Sequence, residues 1–399
     1  MNLLAIETSC DETAISIMNF EKEQKENVEF SLLSNHVLSQ INLHREFGGV
    51  FPSLAKREHA KNIVKIFIEC LKEANLYKEK EIFFDEEIKE EVKILLEREP
   101  EMYEELIALT SKIEKPEIDT LAVTSGPGLA PALWVGINFA KALSIFWNIK
   151  IYPVNHMEGH IVSALVYPVS DKKYSIKKIN FPALALLISG GHTEINYFEK
   201  VGKYKKLGQT VDDAVGEAFD KVARSLELPY PGGPEISKLA EKSRENNQKI
   251  DEEFKLPRPM LHSHDLNFSF SGLKTAVIHT IKKMQEKEIV GEEIKNKIAL
   301  DFENSVTEVL INKIKDALKE ANAKSLVIGG GVIANTFIRK NFQEFSEKEN
   351  IELYLPEKFL TGDNAFMIGA TAILQIINDK PSSNFSEIKA DSNWNIENL

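Results

Sequence analysis

A strand that enters a small-residue turn and leaves as a second strand occurs twice in this chain. Residues 3–7 are apolar up to Glu7, residues 8–13 are a polar turn ending on Thr13, and residues 14–20 resume as a strand. The same order returns at 183–188, 189–193 and 194–198, with Thr193 closing the turn. A strand buries its face only against other elements, so two such openings separated by helical patterns predict two α/β lobes. The recurrence reads as an internal duplication of a phosphate-binding hairpin; the alternative is two ordinary hairpins that share a pattern. A length of 399 residues agrees with two units, because single cores stop growing near about 250–300 residues.

Helical periodicity follows each opening. Residues 55–74, 133–146, 212–226, 236–246, 301–321 and 365–377 are expected as helices, and 118–124, 151–154, 326–328 and 351–355 as strands. The stretch 78–117 departs from this order, with 14 acidic and 7 basic residues. It reads as a charged helical insertion at about 77–115, interrupted at Pro100, or as a disordered acidic loop. The predicted organisation is an N-terminal lobe over 1–150 that includes the insertion, a C-terminal lobe over 151–379, and a flexible Ser-, Asn- and Asp-rich tail over 380–399.

The net charge of −12 argues against a broad nucleic-acid-binding surface but leaves room for a local basic patch. Cys10 and Cys70 have neither metal-knuckle nor disulfide-framework spacing. The N-terminus lacks a basic region and reads as a strand, not a signal peptide. No run approaches the roughly 18 apolar residues of a membrane span, so the expected compartment is the cytoplasm.

Chemistry concentrates in a few short stretches. In His156-Met157-Glu158-Gly159-His160 the histidines are four apart, which on a helix puts both imidazoles on one face within reach of one ion. Packed, hydrogen-bonded histidines would show the same spacing. Glu158 stands two after the first histidine, which is not the H-E-x-x-H arrangement of a metalloprotease. Asp363 precedes an apolar helix and reads as an oxygen ligand or as part of a helix cap. Glycines at 190–191 and 329–331 end strands, where backbone amides can approach an anion. Asp220 and Glu217 share a helix face, and Gly216 weakens that helix in a way that close approach of a ligand would explain.

Together these stretches resemble the bacterial tRNA N6-adenosine threonylcarbamoyltransferase family, once taken for glycoproteases. The resemblance runs through nearly the whole chain. It is carried by residues 6–13, Leu43-His44-Arg45-Glu46-Phe47-Gly48-Gly49-Val50-Phe51-Pro52, Ser125-Gly126-Pro127-Gly128-Leu129, 156–160 and Ser189-Gly190-Gly191-His192-Thr193. It continues through 212–221, Tyr230-Pro231-Gly232-Gly233-Pro234, 268–275, the glycine turn ending in Asn335, and Thr361-Gly362-Asp363-Asn364. Two departures stand out: the insertion at 77–115, and Ser237, where many bacterial members carry an aspartate.

The resemblance implies a two-lobed, duplicated α/β fold of the actin, Hsp70 and sugar-kinase group with a central ligand cleft. It implies transfer of the threonylcarbamoyl group of threonylcarbamoyl-AMP to N6 of adenosine 37 in tRNAs reading codons that begin with A, with release of AMP. His156, His160 and Asp363 would hold one divalent metal ion, Fe2+ before Zn2+. Leu187, Ile188, Ser189, Gly190, Gly191, Asp220, Gly233, Ser237 and Asn335 would line the substrate, and Asp11, Glu12 and His192 would serve catalysis. The implied partners are tRNA, an actin-like paralogous subunit and a small ATPase subunit. Two rivals share the fold. A sugar or acetate kinase leaves the histidine pair unexplained, and an Hsp70-like binding module predicts a substrate domain that the pattern lacks.

Overall fold

Alternation along the first strand sends Leu4 and Ile6 to one face of a sheet and Ala5 to the other, and each face acquires its own layer of helices. The structure, a computed structural model, describes residues 1–23, 28–287 and 291–399. It divides into two compact units. The first comprises Met1–Leu43, Val50–Lys178 and Asp363–Leu399; the second comprises His44–Gly49 and Ile179–Gly362.

The first unit holds a seven-stranded sheet of β1 (Asn2–Glu7), β2 (Glu12–Phe20), β3 (Val28–Ser39), β4 (Thr120–Gly126), β5 (Lys150–Asn155), β6 (Val166–Ser170) and β7 (Lys173–Ile176), in the order β5-β4-β1-β2-β3-β7-β6. β1 pairs antiparallel with β2, facing Ile6 to Ile15 and Leu4 to Ile17, and parallel with β4. These four side chains meet Ile63, Phe67, Leu133 and Phe139 of helices Pro52–Glu73 and Ala130–Trp147 in one buried cluster. On the opposite face lies helix Ala365–Ile377. A Cβ on its Gly369 would come within 2.7 Å of Met18 Sδ and 3.3 Å of Ala5 Cβ, so only a glycine admits this approach. Helix Ala130–Trp147 is long and apolar enough to cross a membrane by length and composition, but 67% of it is buried, as in the core helix of a globular unit.

The second unit is built on β8 (Ala183–Ile188), β9 (Thr193–Lys200), β10 (Lys203–Gln209), β11 (Ser325–Gly329) and β12 (Glu352–Tyr354), in the order β10-β9-β8-β11-β12. β8 pairs antiparallel with β9 and parallel with β11, β9 antiparallel with β10, and β11 parallel with β12. Order and strand senses are those of β1 to β5 in the first unit. Leu184, Leu186 and Ile188 enter a core with Phe219, Phe302, Val306 and Phe342 from the surrounding helices.

Three expectations about organisation change. The division does not fall at 150: the chain leaves the first unit after Lys178 and returns at Asp363, because the apolar helix Ala365–Ile377 covers the first sheet. The segment at 77–115 is neither a loop nor free-standing. Its helices Glu86–Leu95 and Pro100–Thr110 bury Val92, Met102, Leu106 and Leu109 in the first unit's core, and Leu96 between the helices joins them. The tail is also fastened. Ser383 N donates to Ile151 O at 3.1 Å and Asp391 N to Ser125 O at 2.8 Å, while Ile388 and Ile396 are buried. Its polar composition concealed these anchors.

Candidate metal centre and its surroundings

Two helix starts in the first unit make the centre. At the end of β5, Asn155 Oδ1 accepts Met157 N at 2.9 Å and Glu158 N at 3.2 Å, which starts helix His156–Leu165 with both histidines on its first turns. Asn364 Oδ1 accepts Met367 N at 2.9 Å and starts helix Ala365–Ile377, placing Asp363 just outside it. The helices pack closely at Gly159, where a Cβ would stand 3.2 Å from Ile368 Cδ1 and Met367 Cγ.

The result brings the three predicted ligands together. Asp363 Oδ1 lies 3.4 Å from His156 Nε2 and 3.3 Å from His160 Nε2, and one ligand atom from each residue falls within 4.8 Å of the others. His160 is fully buried, and neither of its ring nitrogens has a hydrogen-bond partner. Its approach to Asp363 has ion-pair distance without hydrogen-bond geometry. Buried nitrogens are costly to leave unpaired, so this arrangement fits a divalent ion and not a packed histidine pair. Burial opposes charge on His156, but Asp363 and Glu7 outweigh it and hold its imidazolium well above the ordinary range. Burial keeps His160 below that range. Desolvation opposes charge on the half-buried Asp363, yet the two histidines hold its carboxyl well below the usual carboxylate range.

Glu7 is a functional candidate that the sequence reading missed. It is fully buried, and its Oε2 lies 3.2 Å from His156 Nδ1. The signal was available: a lone acid ends the apolar strand Leu3-Leu4-Ala5-Ile6. Glu158 sits away from the centre, where Gln375 Nε2 donates to it at 3.4 Å.

Asp11, Glu12 and Cys10 form the turn after β1. Burial drives the Glu12 carboxyl well above the usual range, reinforced by Asp11 and Asp363, and Ser39 Oγ donates to it at 3.0 Å. Burial likewise pushes the Cys10 thiol up, which disfavours a thiolate nucleophile. The turn rests on buried His59, whose Nε2 donates to Cys10 O at 3.0 Å while Nδ1 accepts from Thr13 Oγ1 at 2.7 Å.

The remaining predicted residues belong to the second unit. Leu187 and Ile188 are fully buried in β8 and offer only backbone to a ligand. Ser189 N donates to His192 O at 2.8 Å and Ser189 Oγ accepts His192 N at 3.1 Å, closing the turn. A Cβ added at Gly190, Gly191 or Gly233 would meet only open space. Gly216 has a different cause from the one expected. A Cβ there would stand 2.6 Å from Ser189 O and 2.8 Å from Gly190 Cα, so close approach of the turn, not of a ligand, requires glycine. Asp220 Oδ1 accepts Gly232 N at 2.7 Å at the start of helix Gly232–Glu245. Ser237 and Asn335 come together: Asn335 Nδ2 donates to Ser237 Oγ at 2.7 Å and to buried Glu303 Oε1 at 2.6 Å. Asn335 Oδ1 accepts Ile338 N at 2.9 Å, so its amide is engaged on both sides.

Comparison with known proteins adds an independent line. The family model for tRNA N6-adenosine threonylcarbamoyltransferase (TsaD) matches residues 31–82 and 95–370. The residues passed over, 83–94, are a narrower insertion than the predicted 77–115. A protein of that description from Bacillus subtilis is 40% identical over 376 residues, covering 94% of this chain and 90% of the relative. One from Persephonella marina is 40% identical over 374 residues, covering 93% and 89%. One from Polynucleobacter asymbioticus is 39% identical over 391 residues, covering 97% and 95%.

Proposed function

Because the chain belongs to the tRNA N6-adenosine threonylcarbamoyltransferase family, we propose that its reaction runs at the centre formed by His156, His160 and Asp363. The protein is a metal-dependent acyltransferase that transfers a threonylcarbamoyl group to tRNA adenosine. The observation that carries the placement is the convergence of two buried histidines on the half-buried Asp363, with both His160 nitrogens lacking hydrogen-bond partners.

In this reading the donor is threonylcarbamoyl-AMP and the acceptor is N6 of adenosine 37 in tRNAs reading codons that begin with A. The amine attacks the carbamoyl carbon, the bond from that carbon to the phosphate oxygen breaks, the amine loses a proton and AMP leaves. The donor is an activated anhydride, but the amine is a poor nucleophile because its lone pair is delocalised into the ring. Help is therefore needed at the electrophile. A bound divalent ion supplies Lewis-acid polarisation of a donor oxygen. Nitrogen and oxygen ligands accept iron or zinc, and iron is our assignment. Asp11 and Glu12 position the amine, with the Glu12 carboxyl held well above the usual range by burial and by Asp11 and Asp363.

In the second unit, the amides of 187–191 with His192, together with Asp220 and Gly233, are assigned to the nucleotide. The open space over Gly190, Gly191 and Gly233 supports this. Ser237 and Asn335 contribute by shaping that surface, given their bonds to each other and to Glu303. The strand order and senses common to both sheets support an internal duplication of the actin-like kind. A charge of −12 makes the chain a poor non-specific tRNA binder. This favours assistance by an actin-like paralogous subunit and a small ATPase, in the cytoplasm where tRNA is modified.

The test is reconstitution with donor, tRNA and partners, read by mass spectrometry of tRNA nucleosides alongside metal analysis. His156→Ala, His160→Ala and Asp363→Ala should each retain little metal and lose at least about 100-fold in transfer, the upper end of what loss of a supporting residue alone costs. Normal metal content in all three variants would overturn the placement.

A further inference from the structure

We propose that Glu7 is a positioning residue of the metal centre. Its carboxylate keeps a proton on His156 Nδ1, so that Nε2, the nitrogen facing Asp363, is the one that yields its proton to a bound ion. The inference rests on the ligand assignment above and adds a residue to it.

Three contacts fix the Glu7 carboxylate. Oε1 accepts Ser9 N at 2.5 Å, Oε2 accepts Thr124 Oγ1 at 2.5 Å, and Oε2 faces His156 Nδ1 at 3.2 Å. The side chain has no exposed surface, so solvent does not share the work. One donor comes from the turn after β1 and one from β4, which ties the carboxylate to the rigid centre of the sheet. The opposite ring nitrogen, Nε2, faces Asp363. A carboxylate accepts but does not donate, so a hydrogen bond to Glu7 requires the proton on Nδ1. Ser9 Oγ also lies 3.2 Å from Nδ1, but a hydroxyl can donate or accept and so does not select a tautomer.

Glu7→Gln reverses the hydrogen-bonding role opposite His156 Nδ1. The amide oxygen can still accept Ser9 N, and the shape is nearly unchanged. Its NH2 group then faces Nδ1, which becomes the acceptor and shifts the ring proton to Nε2, where it blocks ligation. Zinc affinity of metal-free protein, measured by competition with a chromophoric chelator, should fall by about 10–100-fold. Affinity within twofold of wild type would overturn the proposal. Glu7→Asp keeps the charge but withdraws the carboxylate by one methylene. Positioning predicts weakened zinc binding here too, whereas wild-type affinity would reduce the role of Glu7 to its charge and overturn positioning. Ser9→Ala should stay within about threefold of wild type; a loss as large as that of Glu7→Gln would assign the task to the hydroxyl instead. Should the Glu7 variants fail to fold, NMR of the zinc-loaded wild type decides. The proposal requires a downfield, slowly exchanging His156 Nδ1 proton, and a rapidly exchanging one overturns it. Failure of the ligand assignment itself is distinguishable, because His156→Ala would then leave zinc binding intact.

Discussion

A carboxylate surrounded by donors stays charged in the fold at acidities where it would be protonated in the unfolded chain. Asp212 illustrates this away from the metal centre. It accepts Ser269 Oγ at 2.5 Å, Ser271 Oγ at 2.7 Å and Phe270 N at 2.8 Å, and so fastens the start of helix Ser271–Glu286. Partial burial opposes its charge, but these donors outweigh burial and lower its pKa. The folded value is depressed, so the stabilisation is fully present above the ordinary aspartate range and is lost as pH falls through the folded value. Asp212→Ala should cost about 0.5–1 kcal/mol at neutral pH, the lower part of the capping range because the group is exposed. The difference from wild type in denaturant midpoint should shrink below about pH 4; an unchanged difference at pH 3 would remove the electrostatic account. At this scale the histidine pair was legible, because two histidines four apart imply one helix face whatever the fold, while Asp363 as its third ligand came only with the family resemblance. Glu7 and Glu303 were not, since a buried acid is identified by its partners, which lie 149 residues away for Glu7 and His156 and 32 for Glu303 and Asn335. Gly216 was noticed for its cost, but the backbone that requires it belongs to another turn.

Strong apolar periodicity gave the helices closely: the final helix was expected at 365–377 and is observed as Ala365–Ile377. Edge and interrupted strands were missed. β10 reads Lys-Tyr-Lys-Lys-Leu-Gly-Gln, the charged composition that protects a sheet edge and hides its periodicity. Helices Ser271–Glu286 and Thr336–Glu349 were also missed, since polar faces dilute their apolar stripes. The charged segment teaches the converse, because net charge concealed its anchors. Helix Pro100–Thr110 buries Met102, Leu106 and Leu109, whereas helix Glu86–Leu95 buries only Val92. Replacing 83–94 by a short linker removes buried Val92 and the half-buried Phe84 and Ile88, so it should cost at least about 1.5–3 kcal/mol, the burial of one large side chain, and leave metal binding intact. Removing 77–115 should unfold the first unit, since truncating each large core residue alone costs about 2–5 kcal/mol. Circular dichroism and metal content of the two deletions check this; equal tolerance of both would contradict the packing.

Across the whole molecule, all three ligands lie in the first unit, although the sequence reading gave them to the second. Alternating strands and helices announced two α/β cores, but an apolar helix such as Ala365–Ile377 fits either one, and only the close approach at Gly159 and Gly369 fixes its place. An ion that binds the fold and not the unfolded chain stabilises by about 2.7 kcal/mol at a hundred times its dissociation constant. Chelation should therefore speed hydrogen exchange in helices His156–Leu165 and Ala365–Ile377 and leave helix Glu292–Ala321 of the second unit unchanged. Equal acceleration in both units would show that the ion's effect is not confined to the first. The split course of the first unit also sets a timetable. On the ribosome, His160 emerges 203 residues before Asp363, roughly 10–40 s at ordinary elongation rates. Through that interval the sheet face awaiting its last helix stays bare and the nascent chain carries two ligands without the third. Metal loading thus becomes one of the last events of biosynthesis, and a chain terminated before Asp363 lacks the third ligand.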